Sequence, residues 1–165
     1  MFIIRPDDLA STQTRALLTL HLAEMHENSP PGSVFALDLS GLQAPNITVW
    51  SAWCDSRIAS IGALAMLPDG NAELKSMRTH PDFIRQGAAA KLLETIIGQA
   101  QAKGAQRISL ETGSGPAFNA ALVLYQRRGF QPGAAFSSYS QTDFNQFLHL
   151  ALPSQPHQRP NSTNS

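Results

Sequence analysis

The run "RQGAAAKLL", Arg85 to Leu93, opens a helix on one glycine and three alanines. Most helix starts satisfy their first free N–H groups with a Ser, Thr, Asp or Asn side chain. Here Arg85, Gln86, Gly87, Ala88, Ala89 and Ala90 leave those donors uncovered, at the positive end of the helix dipole. That chemistry suits an anion, above all a phosphate. The same run also suits a tight helix start packed on a sheet. The chain has no G-x-x-x-x-G-K-[ST] and no G-x-G-x-x-G after its first strand, so neither a nucleotide P-loop nor a dinucleotide fold is expected. His21 and His26 lie five residues apart, which does not place both on one helix face and argues against a metal pair. Either of them, with Glu27 and Ser29, is in position to line a cleft. Cys54 has no base partner in the sequence and reads as a buried small residue.

Periodicity and punctuation supply the elements that must position this turn. Phe2 to Arg5 reads as a strand closed by Pro6, and Ser11 to Glu27 as a helix whose Leu17, Leu18, Leu20, Leu22 and Met25 recur near helical spacing. After "SPPG", the segment "SVFALDLSGL" is expected to form a second, shorter helix. "ITVWSAW" and "RIASIGALAML" form a hairpin about "CDS", and the turn "PDGN" leads into "AELKSMRT" as the third strand of a meander. The helix of the bare turn carries Ala89, Leu92, Leu93, Ile96 and Ala100 on one face and ends at Gly104. "RISLET" is then a strand, "GSGPAFNAALVLYQRRG" a helix opened by Pro116 and closed by Gly129, and "FQPGAAFSS" and "FNQFLHLAL" the last strands. The sum is an α/β (α+β) chain: a mixed, mostly antiparallel seven-stranded sheet flanked by four helices. Pro153 to Ser165 has no apolar content and is expected to be a disordered tail, leaving one domain over residues 1–152.

Composition narrows the classes. Twelve Lys+Arg balance twelve Asp+Glu, so no global basic field recruits nucleic acid or an anionic membrane. No apolar run approaches a membrane span or a signal peptide. A single Cys excludes an internal disulfide and points to a reducing, cytoplasmic setting.

"AALVLYQRRGF", Ala120 to Phe130, places Tyr125 on a helix four residues before a glycine that leads into a strand. Together with "AELKSMRT" as the fourth strand and "RQGAAAKLL" as the turn, this spacing resembles the GNAT-type N-acetyltransferases. The likeness spans Phe2 to Leu152. It implies the GNAT acyl-CoA N-acyltransferase fold, acetyl-CoA as cosubstrate without a metal, and transfer of acetyl to a primary amine of a small molecule. It leaves a homodimer open. A non-catalytic acyl-CoA-binding or interaction module on the same fold is the alternative, since fold does not guarantee activity.

The resemblance also implies residue roles. The N–H groups of Arg85 through Ala90 would hold the CoA pyrophosphate, where a bulky substituent would keep phosphate oxygens out of range. The pantetheine arm would pair with the backbone of Met77 and Thr79, the Met77 N–H facing the thioester oxygen. An alkylamine with pKa near about 10.4 costs roughly 4 to 5 kcal/mol to deprotonate at neutral pH, so a base is needed. Glu73 at the start of the fourth strand and Glu111 at the end of the next are the rivals, and a water chain is a third route. Tyr125 would protonate the departing thiolate. Two departures stand out. The family usually has Gln or Arg where this chain has Ile84, and Asn where it has Phe118, with Asn119 one residue late.

Overall fold

The computed structural model describes residues 1–153, and all but the first residue of the tail expected over Pro153 to Ser165 lies outside them. Strand β1 (Ile3–Pro6) leads to helix α1 (Thr12–Glu27) and to α2 (Leu39–Leu42). The meander of β2 (Ile47–Cys54), β3 (Arg57–Met66) and β4 (Ala72–Thr79) follows. Helix α3 (Ala88–Ala102), β5 (Arg107–Thr112), α4 (Asn119–Arg128), β6 (Gln131–Pro132) and β7 (Gln146–Ala151) complete the order. The seven strands form one sheet, β1-β2-β3-β4-β5-β7-β6, in which β4 and β5 are the parallel neighbours and the other pairs are antiparallel. This is the mixed sheet with four helices read from the sequence.

Local chemistry explains the boundaries. Ser11 caps α1 by accepting from the N–H groups of Gln13 and Thr14 at 3.2 and 3.4 Å. Asp7 ties that helix to the sheet: Thr14 Oγ1 and Ser51 Oγ both donate to its Oδ2, at 2.8 and 2.7 Å. Three elements are shorter than the sequence suggests. Asp38 accepts from the Gly41 N–H at 2.8 Å and so starts α2 late, reducing it to one turn. Pro116 opens a 3-10 turn that runs directly into α4, so the α-helix itself begins only at Asn119. Strand β6 stops after two residues, because Pro132 lacks a donor and Gly133 lies so close to His149 that a Cβ there would sit 2.6 Å from its ring.

Alternation along the strands sorts the core onto two faces. Trp50, Leu64 and Leu74 pack with Leu92, Ile96, Ile108 and Leu148 under α3 and α4. Val49, Ile61 and Ala63 pack with Leu17 and Leu18 under α1. Cys54, at the end of β2, is half-buried against a third, smaller cluster. No helix among the described residues is long and apolar enough to cross a membrane.

Gly62, in the middle of β3, is closely packed on its α3 side. A Cβ at this position would lie 2.4 Å from Met77 Sδ and 2.8 Å from Ile96 Cδ1. Gly62→Ala must therefore displace the Met77 and Ile96 side-chain ends. A loss of about 1–3 kcal/mol is expected from such overpacking, read as a lowered urea midpoint at constant m-value. An unchanged midpoint would show that the space is freer than the geometry indicates.

Candidate active site

Strands β4 and β5 pair at two positions, Ala72↔Ile108 and Glu73↔Ser109, and then part. Beyond Glu73 the β5-facing edge of β4 has no strand beside it. The wedge so formed is a cleft of about 1120 Å³, lined along one side by Leu74 through Thr79 and along the other by Leu110 through Gly113.

A bulge shapes the β4 side. Lys75 pairs with Ala63 and Arg78 with Ile61, so Ser76 and Met77 together face Gly62. Ser76 takes φ 58, a left-handed conformation that non-glycine residues rarely adopt, and its buried Oγ has no partner among the described residues. The extra residue resets the alternation. Met77 consequently turns to the α3 face, against Ile96. Glu73, Lys75 and Arg78 stand opposite Ala65, Ala63 and Ile61 and share the α1 face. On β5, Ile108 and Leu110 belong to the α3 core, so Glu111 points the other way, across from Phe147.

The uncapped turn before α3 closes the other end. Helix α3 starts at Ala88, after an N-cap Gly87 at φ 90, with no side chain capping its N–H groups. Arg85 is also left-handed, at φ 62, and alternating turns of this kind gather N–H groups into an anion-binding nest. A Cβ on Gly87 would meet nothing within 4 Å. The glycine is there for its dihedral angle as well as its small size, which corrects the purely steric reason drawn from the sequence. Arg85, Gly87, Ala88, Ala89 and Ala90 line the cleft, as does Ile84, which is 54% exposed. Gln86 instead donates through Nε2 to the Asp82 carbonyl at 3.1 Å.

On the same face Tyr125 lines the cleft from α4, packed on Phe130 with ring centroids 5.7 Å apart. Burial raises its phenol above the ordinary range, against a smaller opposing pull from Arg78. Phe118 is buried edge-on to Phe144, while Asn119 is exposed on the first turn of α4, outside the cleft lining.

The α1 face carries the ionisable groups. Glu73 is buried and its Oε2 accepts from Tyr139 Oη at 2.6 Å and from Lys75 Nζ at 3.1 Å. Lys75 Nζ also donates to Tyr139 Oη at 2.9 Å, closing a three-membered ring. Burial, then the bond to Glu73, pushes the Tyr139 phenol up. Glu111 is raised to about 7, chiefly by burial, with Lys75 opposing and Glu73 adding to the shift. Arg78 donates from Nε to His21 Nδ1 at 3.0 Å and pairs with Glu24. Burial and the Arg78 charge lower His21 to about 4, so it is a neutral ring in this cleft. His26 and Glu27 are exposed and Ser29 reaches the lining. Lys75 and Tyr139 are members of the site that sequence reasoning missed. Alternation along β4 flags Lys75 beside Glu73, but nothing local marks Tyr139, which is 66 residues away from Glu73.

The family model described as "Acetyltransferase (GNAT) family" matches residues 14–130. The chain belongs to this family. An uncharacterized N-acetyltransferase of Escherichia coli, YedL, is 41% identical over 152 residues, covering 92% of this chain and 96% of its own. A Bacillus subtilis relative, the uncharacterized N-acetyltransferase YsnE, is 41% identical over 149 residues, 90% of this chain and 99% of its own. A Bacillus subtilis acetyltransferase solved in complex with CoA superposes with a TM-score of 0.69 at 19% identity, over 93% of this chain and all of that one. The resemblance in the three motifs is thereby borne out: the chain is an acetyltransferase with the GNAT fold.

The raised Glu111 carboxyl has a consequence for stability in this GNAT chain. The folded state holds a proton that the unfolded state releases between about pH 4.5 and about pH 7. Stability from this group is full below that window and is lost as pH rises through it. Glu111→Gln is therefore expected to gain stability relative to the parent chain across the window, with the gain level above it, in urea unfolding as a function of pH. A difference independent of pH would refute the buried-carboxyl assignment.

Proposed function

We propose that this acetyltransferase moves an acetyl group from acetyl-CoA to a primary amine of a small molecule, by direct attack in a ternary complex. The observation that carries the reading is the cleft between the parted strands. It joins the nest and Tyr125 on the α3 face to the carboxylates on the α1 face. CoA and acceptor thus enter from opposite faces and meet at the bulge. The CoA carried by the Bacillus subtilis structure of like fold supports this use of the cleft. The lone Cys54 supports a reducing, cytoplasmic setting.

In this reading the N–H groups from Arg85 through Ala90 hold the pyrophosphate. The pantetheine arm takes the place β5 leaves vacant beside Met77 and Thr79. The Met77 N–H donates to the thioester oxygen as negative charge develops there. Glu111 is the base. Its oxygens are not tied into the Lys75–Tyr139–Glu73 ring, and a carboxyl near pH 7 is matched to proton uptake at neutral pH. Glu73 then serves by fixing Lys75 and Tyr139. The ammonium of the acceptor gives its proton to Glu111, and its nitrogen pair forms the new C–N bond. The C–S bond breaks, the sulfur takes the Tyr125 proton, and the second proton that the nitrogen sheds as the amide forms restores the Tyr125 phenol. A phenol whose burial keeps it protonated is suited to that step. Asn119, outside the cleft lining, has no part in this scheme.

Release of free thiol from acetyl-CoA over a panel of amines tests the whole reading. CoA binding with no thiol release for any amine would leave an acyl-CoA-binding module instead. Tyr125→Phe keeps the ring and removes the acid. Turnover is expected to fall roughly tenfold to a hundredfold, with acetyl-CoA affinity nearly unchanged, and a parallel loss of both would make Tyr125 a binding residue.

Gly87→Ala places a side chain at φ 90 and distorts the nest. Calorimetry is expected to show CoA affinity lowered by about tenfold or more, near 1.4 kcal/mol. Unaltered affinity in a folded variant would put the pyrophosphate elsewhere.

A further inference from the structure

We infer that the acceptor site is built for an arylalkylamine, a primary amine on an aromatic body with neither a carboxylate nor a second amine. The inference rests on the transferase reading above and narrows its acceptor.

The walls of the α1-face cleft are aromatic. Phe35, from the connection between α1 and α2, lines the cleft and stays 39% exposed. It meets the Tyr139 ring edge-on, with centroids 5.2 Å apart. Tyr139 is in turn backed by Phe136 at 5.1 Å and Phe147 at 5.9 Å. Rings held this firmly, with one left open to solvent inside a concavity, offer edge and face contacts to a flat apolar group.

The charges of this end are already matched to one another. Lys75 is engaged by Glu73 and Tyr139, and Arg78 by Glu24 and His21. An acceptor carboxylate would find no free cation here among the described residues, and would have to break one of these pairs or be buried unpaired. On the acidic side, Glu73 and Glu24 are likewise taken. Glu111 is left as the single carboxylate of this floor outside any ion pair among the described residues. One ammonium group is therefore matched, and a second is not. The site selects by what it lacks as much as by what it presents.

The test uses the full chain with acetyl-CoA and four amines: phenethylamine, phenylalanine, propylamine and spermidine. Phenethylamine and phenylalanine differ only by the carboxylate. The kcat/KM for phenethylamine is expected to exceed those for phenylalanine and spermidine by about tenfold or more. Phe35→Ala, at a partly exposed position, should lower phenethylamine turnover by about tenfold more than that of propylamine, leaving CoA affinity unchanged. Equal or better use of phenylalanine or spermidine overturns the inference while the transferase reading stands, and so does an equal loss for both amines in the Phe35 variant. Transfer to none of the four overturns this inference, and the transferase reading falls with it only where the wider amine panel also releases no thiol.

Discussion

A strand edge left without its neighbour is the constraint on which the rest of this molecule depends. Backbone N–H and C=O groups inside a protein need partners, and two parallel strands in one sheet would ordinarily supply them to each other. Here β4 and β5 do so for two residue pairs and then diverge. In the proposed function an extended ligand arm takes that vacant place beside β4. The bulge at Ser76 is part of the same device. It accepts one residue at φ 58, and in return aims Met77 at α3 and Arg78 at α1 from adjacent positions.

The two faces of the sheet then become chemically different. The α3 face carries the uncapped N–H groups at its end with Arg85 beside them, a setting that favours an anion. The α1 face concentrates Glu73, Lys75, Arg78 and Glu111 in a buried setting, where each pair depends on its geometry. Two carboxylates that look equivalent in the sequence are separated by their neighbours. Glu73 is tied by a lysine and a phenol, while Glu111 has burial as its main influence. Environment, more than residue type, divides their roles.

Much of this was legible in the chain. The apolar periods gave the helices and strands in order, and the turn at Gly87 declared itself by the absence of a capping side chain. These features are local: they depend on residues within one or two turns of each other, and the backbone enforces them wherever the segment goes. The misjudged ends at α2, β6 and the start of α4 arose where a short-range competitor prevailed, with Asp38, Pro132 and Pro116 each overriding the wider pattern.

What the sequence by itself determined was therefore the list of elements, the uncapped turn at Gly87 and the family likeness. The tertiary structure alone decided which side chains meet. Tyr139 reaches Glu73 across 66 residues, Arg78 reaches His21 across 57, and Phe35 lies against Tyr139 from a segment with no period at all. Contacts between such distant positions are set by strand register and by the one-residue shift of a bulge. A single inserted residue reverses which face every following side chain occupies, and that choice is made only when β3 and β4 pair.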